Sequence, residues 1–216
     1  MRQPSDRSAA VAKSKTSAST GTVEPAAYLA LLRVERAVLA GDHLQLPPTV
    51  LSAAAQAGGL GTSLFERLVE AHGDLVKVTL AEQHRMNEKI MAFPSAALYG
   101  GALRAHPAAA DRHLDDAPLE VVDTSGRGFE EETPEGSESK VNPGEAALVA
   151  DEVRAILARG LAPADVAVIA AYDAQVQRLR DLLAAEVEEG LEVDTVDGFQ
   201  GREKEAVVVS LVRADA

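Results

Sequence analysis

The sequence predicts an α/β protein, a parallel sheet wrapped in helices. Short apolar runs rich in Val, Ile and Ala recur along the chain, as strands buried on both faces require. Longer stretches of helical pattern separate them, and the alternation is most regular in the second half. Hydrophobic residues make up 46% of the chain, but only 3% is aromatic and Trp is absent, so the core must be built from Ala, Leu and Val.

In chain order, residues 1–22 (MRQPSDRSAAVAKSKTSASTGT) have no apolar periodicity and read as a disordered tail. Pro25 suits the first turn of a helix over AAYLALLR. Residues 36–40 (RAVLA) end at Gly41-Asp42, as a buried strand does. After Pro47-Pro48, Thr62-Ser63 can cap an amphipathic helix over Leu64–His72. Residues 76–80 read as a second buried strand, and 87–98 as a helix that Pro94 should end or kink. Gly, Ala, His, Pro and Asp crowd 99–118, the best internal boundary. Beyond it come a strand (119–123), a helix (144–158), a strand (165–171), a helix (174–189) and strands at 191–196 and 205–212. The acidic, breaker-rich FEEETPEGSESK (129–140) reads as a solvated loop.

Charge and composition exclude several classes. A formal net charge of −13 argues against attachment to nucleic acid by net charge, while leaving a local basic groove open. The chain has no cysteine, which removes disulfides, thiolate zinc sites and cysteine nucleophiles and fits a reducing cytoplasm. No apolar run approaches the roughly 18–20 residues that cross a bilayer, and the amino terminus lacks a signal-type apolar region. A cytoplasmic protein without a membrane partner is expected.

Three runs carry chemistry, each where α/β proteins put ligands, beyond the carboxyl end of a strand. Gly41-Asp42-His43-Leu44-Gln45-Leu46-Pro47-Pro48 offers a carboxylate and then an amide; Gln45 can donate to a phosphate oxygen and accept from a water. The same run also reads as a polar turn without a ligand. Leu80-Ala81-Glu82-Gln83-His84-Arg85-Met86 opens a helix, and Arg85 there is fit to neutralise a phosphate or to pair with Glu82 or Glu88. The third run is Val193-Asp194-Thr195-Val196-Asp197-Gly198-Phe199-Gln200-Gly201-Arg202-Glu203, a strand entering a two-glycine turn. Gly198 and Gly201 permit close backbone approach to a phosphate, Thr195 and Gln200 can bond nucleic-acid backbone, and Glu203 can accept from ribose hydroxyls. The five histidines show no metal-ligand spacing, so no metal site is expected.

Together and in this order, GDHLQLPPTV, AEQHRM and VDTVDGFQGREKEAVVVS resemble motifs III, IV and V of superfamily 1B helicases of the up-frameshift type, nearest the immunoglobulin mu-binding protein 2 branch. SKVNPGEAALV and APADVAVIAAYDAQVQRLR resemble that family's second motor domain, and the likeness covers about residues 23–214. It implies RecA-like folds of P-loop NTPase type with helices on both sheet faces: the end of a first RecA-like domain with the crossover (23–117) and most of a second (118–216). The resemblance makes Gln45 and Arg85 catalytic, Arg85 as an arginine finger, and assigns Asp42, His84, Gly201 and Glu203 to the nucleotide. Pro47, Thr195 and Val196 would lie along single-stranded DNA or RNA. The implied cofactors are ATP and Mg²⁺. His84 stands where the family has tyrosine, and imidazole can still stack on a base.

The departures from the family pattern lead to further expectations. The chain contains no GxxxxGK[ST] loop, no Asp-Glu-Ala-x-Gln box with its Mg²⁺ ligand, and no Arg-rich motif VI. It is therefore expected to be a helicase fragment, inactive in ATP hydrolysis alone, with the missing N-terminal helicase segment as a partner. The alternative is a non-catalytic nucleotide- or nucleic-acid-binding module that retains the fold.

Overall fold

The computed structural model describes residues 24–32, 35–114 and 117–213. The expected tail, 1–22, lies outside them. The chain forms two compact units: one runs to Ala81 and includes Leu98–Gly100, and the other comprises Glu82–Ala97 and Gly101 onward.

The first unit holds α1 (Glu24–Leu31), one helical turn α2 (Ala53–Ala55) that widens into a π turn over Gln56–Leu60, and α3 (Leu64–His72). Ser63 caps α3 as its sequence signature predicts: it is buried, with extended backbone, and its hydroxyl accepts from Glu66 N–H at 3.2 Å. The strands expected at 36–40 and 76–80 do not form; both segments lack ladder partners, and Val38 and Val78 are almost fully exposed. A strand has no internal hydrogen bonds and exists only where a neighbour supplies its ladder. No described segment does so here. The same reason removes the strand expected at 119–123, in the second unit.

The second unit carries β1 (Glu82–Gln83), α4 (Glu88–Leu98, within this unit to Ala97), β2 (Arg104–Ala105), α5 (Pro107–Ala110), α6 (Pro143–Ala158), β3 (Val166–Ala170), α7 (Asp173–Leu182), α8 (Ala184–Glu188), β4 (Glu192–Thr195), α9 (Val196–Phe199) and β5 (Ala206–Ser210). Its main sheet is wholly parallel, in order β4-β3-β5, with Val168 paired to Val193 and to Val208. Its core joins Ala146, Val149 and Val153 of α6 to Val166 and Val168 of β3 and to Val176 and Leu179 of α7, so the Ala/Leu/Val core expected from composition forms here. Helices α6 and α7 pack on each other and on this face. Val207 and Val209 point the other way and are exposed.

One helix expectation is narrowed and another needs correction. Pro94 does not end α4, although it removes the N–H that would reach the Ile90 carbonyl. The helix is held instead by buried Met91 and Ser95: the Ser95 hydroxyl accepts from Leu103 N–H at 3.2 Å and its carbonyl from Gly101 N–H at 2.8 Å. The single helix expected over 174–189 breaks at Leu183, which is fully buried. Arg154 donates to the Leu182 carbonyl at 2.7 Å and so satisfies a group the break leaves open. Loop 129–140 is also more than solvated: Glu131 pairs with Arg213 at 2.7 Å, Glu132 bridges to Val141, and the Ser139 hydroxyl accepts from Ala174 N–H at 3.0 Å.

A buried polar network closes the carboxyl end of β5. Gln175, wholly buried, accepts from Asn142 N–H at 2.9 Å and donates to the Ser210 hydroxyl at 3.0 Å. Glu145 accepts from Ser210 Oγ at 2.7 Å and from Val212 N–H at 3.0 Å, while Asn142 donates to the Val212 carbonyl at 3.2 Å. These bonds hold Val212 at φ 70°, a left-handed conformation that a β-branched residue adopts only when its surroundings over-determine it. No described helix is long and apolar enough to cross a membrane.

Candidate nucleotide and nucleic-acid site

In the first unit, Asp42 and Gln45 are brought together. Asp42 Oδ1 accepts from Leu44 N–H at 3.1 Å, and Oδ2 accepts from Gln45 Nε2 at 2.9 Å and from the Tyr99 hydroxyl. Burial alone would raise the Asp42 carboxyl, but the donors Tyr99, Gln45 and Leu44 outweigh it and hold it below its ordinary value. Burial and donation to Asp42 push the Tyr99 hydroxyl up to about 12. Pro47 is exposed and Pro48 is buried. Tyr99 lies 57 residues from Asp42, and nothing in its local sequence marks it as a partner.

In the second unit, the Gln83 side chain organises residues 84–86. Its Oε1 accepts from Arg85 N–H at 2.8 Å and from Met86 N–H at 2.7 Å, while its Nε2 donates back to the Met86 carbonyl at 2.8 Å. An amide suits this role because it accepts and donates at once. The clamp folds residues 84–86 into a tight turn that leaves the His84 and Arg85 side chains exposed. Arg85 Nε donates to Glu203 Oε2 at 2.5 Å across 118 residues of chain, so its ion-pair partner is Glu203 rather than the expected Glu82 or Glu88. Gln83, His84, Arg85, Met86 and Glu203 line an open cleft of about 350 Å³.

The turn before Glu203 is self-supporting. The Thr195 hydroxyl caps α9 by accepting from Gly198 N–H at 3.1 Å, so Val196 opens a helix where the sequence predicts the last residue of a strand. Arg202 reaches Glu192 at 2.6 Å, Asp194 at 2.7 Å and the Gly198 carbonyl. Burial pushes the Asp194 carboxyl up, but Arg202 and the Thr195 N–H prevail and lower it. A Cβ at Gly198 would strike that carboxylate, so Gly198 makes room for Asp194. Gly201, at φ 82°, is in the left-handed region that glycine takes without strain. Gly201, Thr195 and Val196 are not among the residues that line the cleft.

His84 and His106 stack with ring centroids 4.2 Å apart, and the Glu82 carboxylate is 3.4 Å from His84 Nε2. Sequence spacing gives no metal-ligand set, yet Glu82, His84 and His106 each place a ligand atom within 4.8 Å of the others. Parallel pairing of β1 with β2 does this: Glu82 faces Arg104, Gln83 faces Ala105, and the two histidines come next.

Comparison with known proteins agrees with the motif reading. Residues 60–216 match a family model described as an AAA domain, and residues 19–53 match a second model of the same description. The chain is 44% identical over 204 residues to rat DNA-binding protein SMUBP-2, covering 89% of this chain and 20% of that protein. It is 38% identical to the DNA polymerase alpha-associated DNA helicase A of Schizosaccharomyces pombe, covering 89% of this chain and 31% of the relative. It is 36% identical to a Regulator of nonsense transcripts 1 homolog of Neurospora crassa, covering 91% and 19% respectively. The chain thus spans about a fifth to a third of the length of these relatives. It is a parallel α/β protein with helicase sequence, and it belongs to the AAA domain family. Within that family its branch is the superfamily 1B helicases of the up-frameshift type.

Proposed function

We propose that this chain supplies the end of one RecA-like domain (23–117) and most of a second (118–216) to an ATP-dependent helicase that moves on single-stranded DNA or RNA. In this reading the sheets are of P-loop NTPase type with helices on both faces. The observation that supports it best is the pairing of Arg85 with Glu203 at the open cleft. Each neutralises the other until a nucleotide offers better partners: phosphate oxygens for the guanidinium fork, and ribose hydroxyls for the carboxylate. The exposed His84 ring would stack on the base, and Gly201 would let the backbone lie near the phosphates.

Asp42 would orient the Gln45 amide, which would face the terminal phosphate and its attacking water. Pro47, Thr195 and Val196 would border the nucleic acid. ATP with Mg²⁺ supplies the phosphoryl group and much of its charge neutralisation when bound. These residues contribute one guanidinium toward phosphate and one carboxylate toward ribose, and the metal's own ligands are not among them. A partner segment carrying a phosphate-binding loop completes the site in this reading. The names of the relatives favour it over a module without hydrolysis.

The test is binding of a fluorescent ATP analogue to the chain, with inorganic triphosphate as competitor. Glu203→Gln should weaken the nucleotide about three- to tenfold, the worth of a lost hydrogen bond, yet leave triphosphate bound as well or better because Arg85 is released. Arg85→Ala should weaken both. Equal effects of Glu203→Gln on nucleotide and triphosphate, or no effect of either substitution, would refute the assignment.

A further inference from the structure

We propose that Glu82, His84 and His106 form a binding site for a first-row transition-metal ion, with Zn²⁺ the best fit. The site is built by backbone pairing. The β1–β2 ladder and the hydrogen bond from His106 N–H to the Gln83 carbonyl, at 2.8 Å, bring the two histidines side by side. Glu82 enters from the same short strand, and one ligand atom from each residue lies within 4.8 Å of the other two.

The donor set selects the metal. Two imidazoles and a carboxylate suit zinc, with a fourth position left to water, whereas Mg²⁺ and Ca²⁺ prefer an all-oxygen shell. Zinc bonds of about 2.0–2.2 Å in a tetrahedron put neighbouring ligand atoms roughly 3.3–3.6 Å apart. His84 Nε2 and Glu82 Oε1 are already at 3.4 Å, so an ion can sit between them with little movement of that pair. His106 must move further. The two rings are stacked with only 23° between their planes, and lone pairs lie in the ring planes, so one ring has to turn edge-on to the ion.

His106 also caps α5, its Nδ1 accepting from Ala108 N–H at 3.1 Å. Ligation through Nδ1 displaces that N–H, and ligation through Nε2 requires a proton on Nδ1. Either way the metal competes with the cap, which holds a helix of only four residues. An affinity in the micromolar range is therefore expected, weaker than a preformed structural zinc site.

The competition supplies the decisive variant. His106→Asn keeps an N-cap side chain and removes the metal ligand. Isothermal titration of the full chain with Zn²⁺, and visible absorption with Co²⁺, should give one saturable site. His106→Asn and Glu82→Gln should each weaken it at least about tenfold, with the metal-free melting temperature unchanged. Replacing His72 and His113, which are not members of this ligand cluster, by Ala should leave it intact. No saturable binding up to about 100 μM Zn²⁺, or wild-type affinity in His106→Asn, would overturn the proposal and assign any residual binding to scattered surface histidines.

Discussion

Gln83 is predicted to determine whether His84 and Arg85 are presented at all, and Gln83→Met tests this with little change of volume. The substitution removes three hydrogen bonds, two received from Arg85 and Met86 N–H and one donated to the Met86 carbonyl. Each is worth about 0.5–1.5 kcal/mol net. The turn is only partly buried, so released groups regain water and the low end applies, about 1.5–3 kcal/mol in total. That shifts the equilibrium between the ordered and open turn by roughly 10- to 150-fold. Amide hydrogen exchange reads it directly: protection at Arg85 and Met86 should fall by that factor while β3 amides stay unchanged. Gln83→Glu is the discriminating control, because a carboxylate still accepts both N–H groups and loses only the donation to Met86. The reasoning fails if Gln83→Met leaves those two amides protected, or if Gln83→Glu exposes them equally.

Two further outcomes are expected. Gly198→Ala places a Cβ against the Asp194 carboxylate and should destabilise the second unit by about 1–3 kcal/mol, as overpacking does; in an Asp194→Ala background the same change should cost clearly less, and equal costs in the two backgrounds would show that the contact is not responsible. Tyr99 has its folded value raised to about 12, by burial first and by donation to Asp42 second, so its protonated form adds stability that is full below the ordinary tyrosine value of about 10 and is lost as pH rises through about 12. Asp42, whose value is lowered, adds stability present above the ordinary carboxylate range and lost as acid takes the pH through its folded value. Denaturant melts across pH should show that Tyr99→Phe removes the alkaline dependence between about 10 and 12; an unchanged alkaline limb would assign it to another group.

The parts of this protein legible in sequence are those whose cause is local. Ser63 caps Leu64–His72 through an N–H three residues away, and α6 begins where Asn142 accepts from Glu145 N–H at 3.0 Å. The Val-rich strands β3 and β5 are legible because β-branched residues suit a pleated ladder, and here each has a neighbour to pair with, although the Val207 and Val209 face of β5 is exposed. The three polar runs could likewise be singled out from residue type and order. Residues 36–40, 76–80 and 119–123 have similar apolar patterns and are not strands, because pairing belongs to two segments and a pattern describes only one. Only tertiary structure gave Arg85 its partner Glu203, Asp42 its partner Tyr99 and His84 its neighbour His106. Local sequence registers a residue's chemistry, but Coulomb attraction, stacking and hydrogen bonding act through space, at distances set only when the ladders and helices have closed.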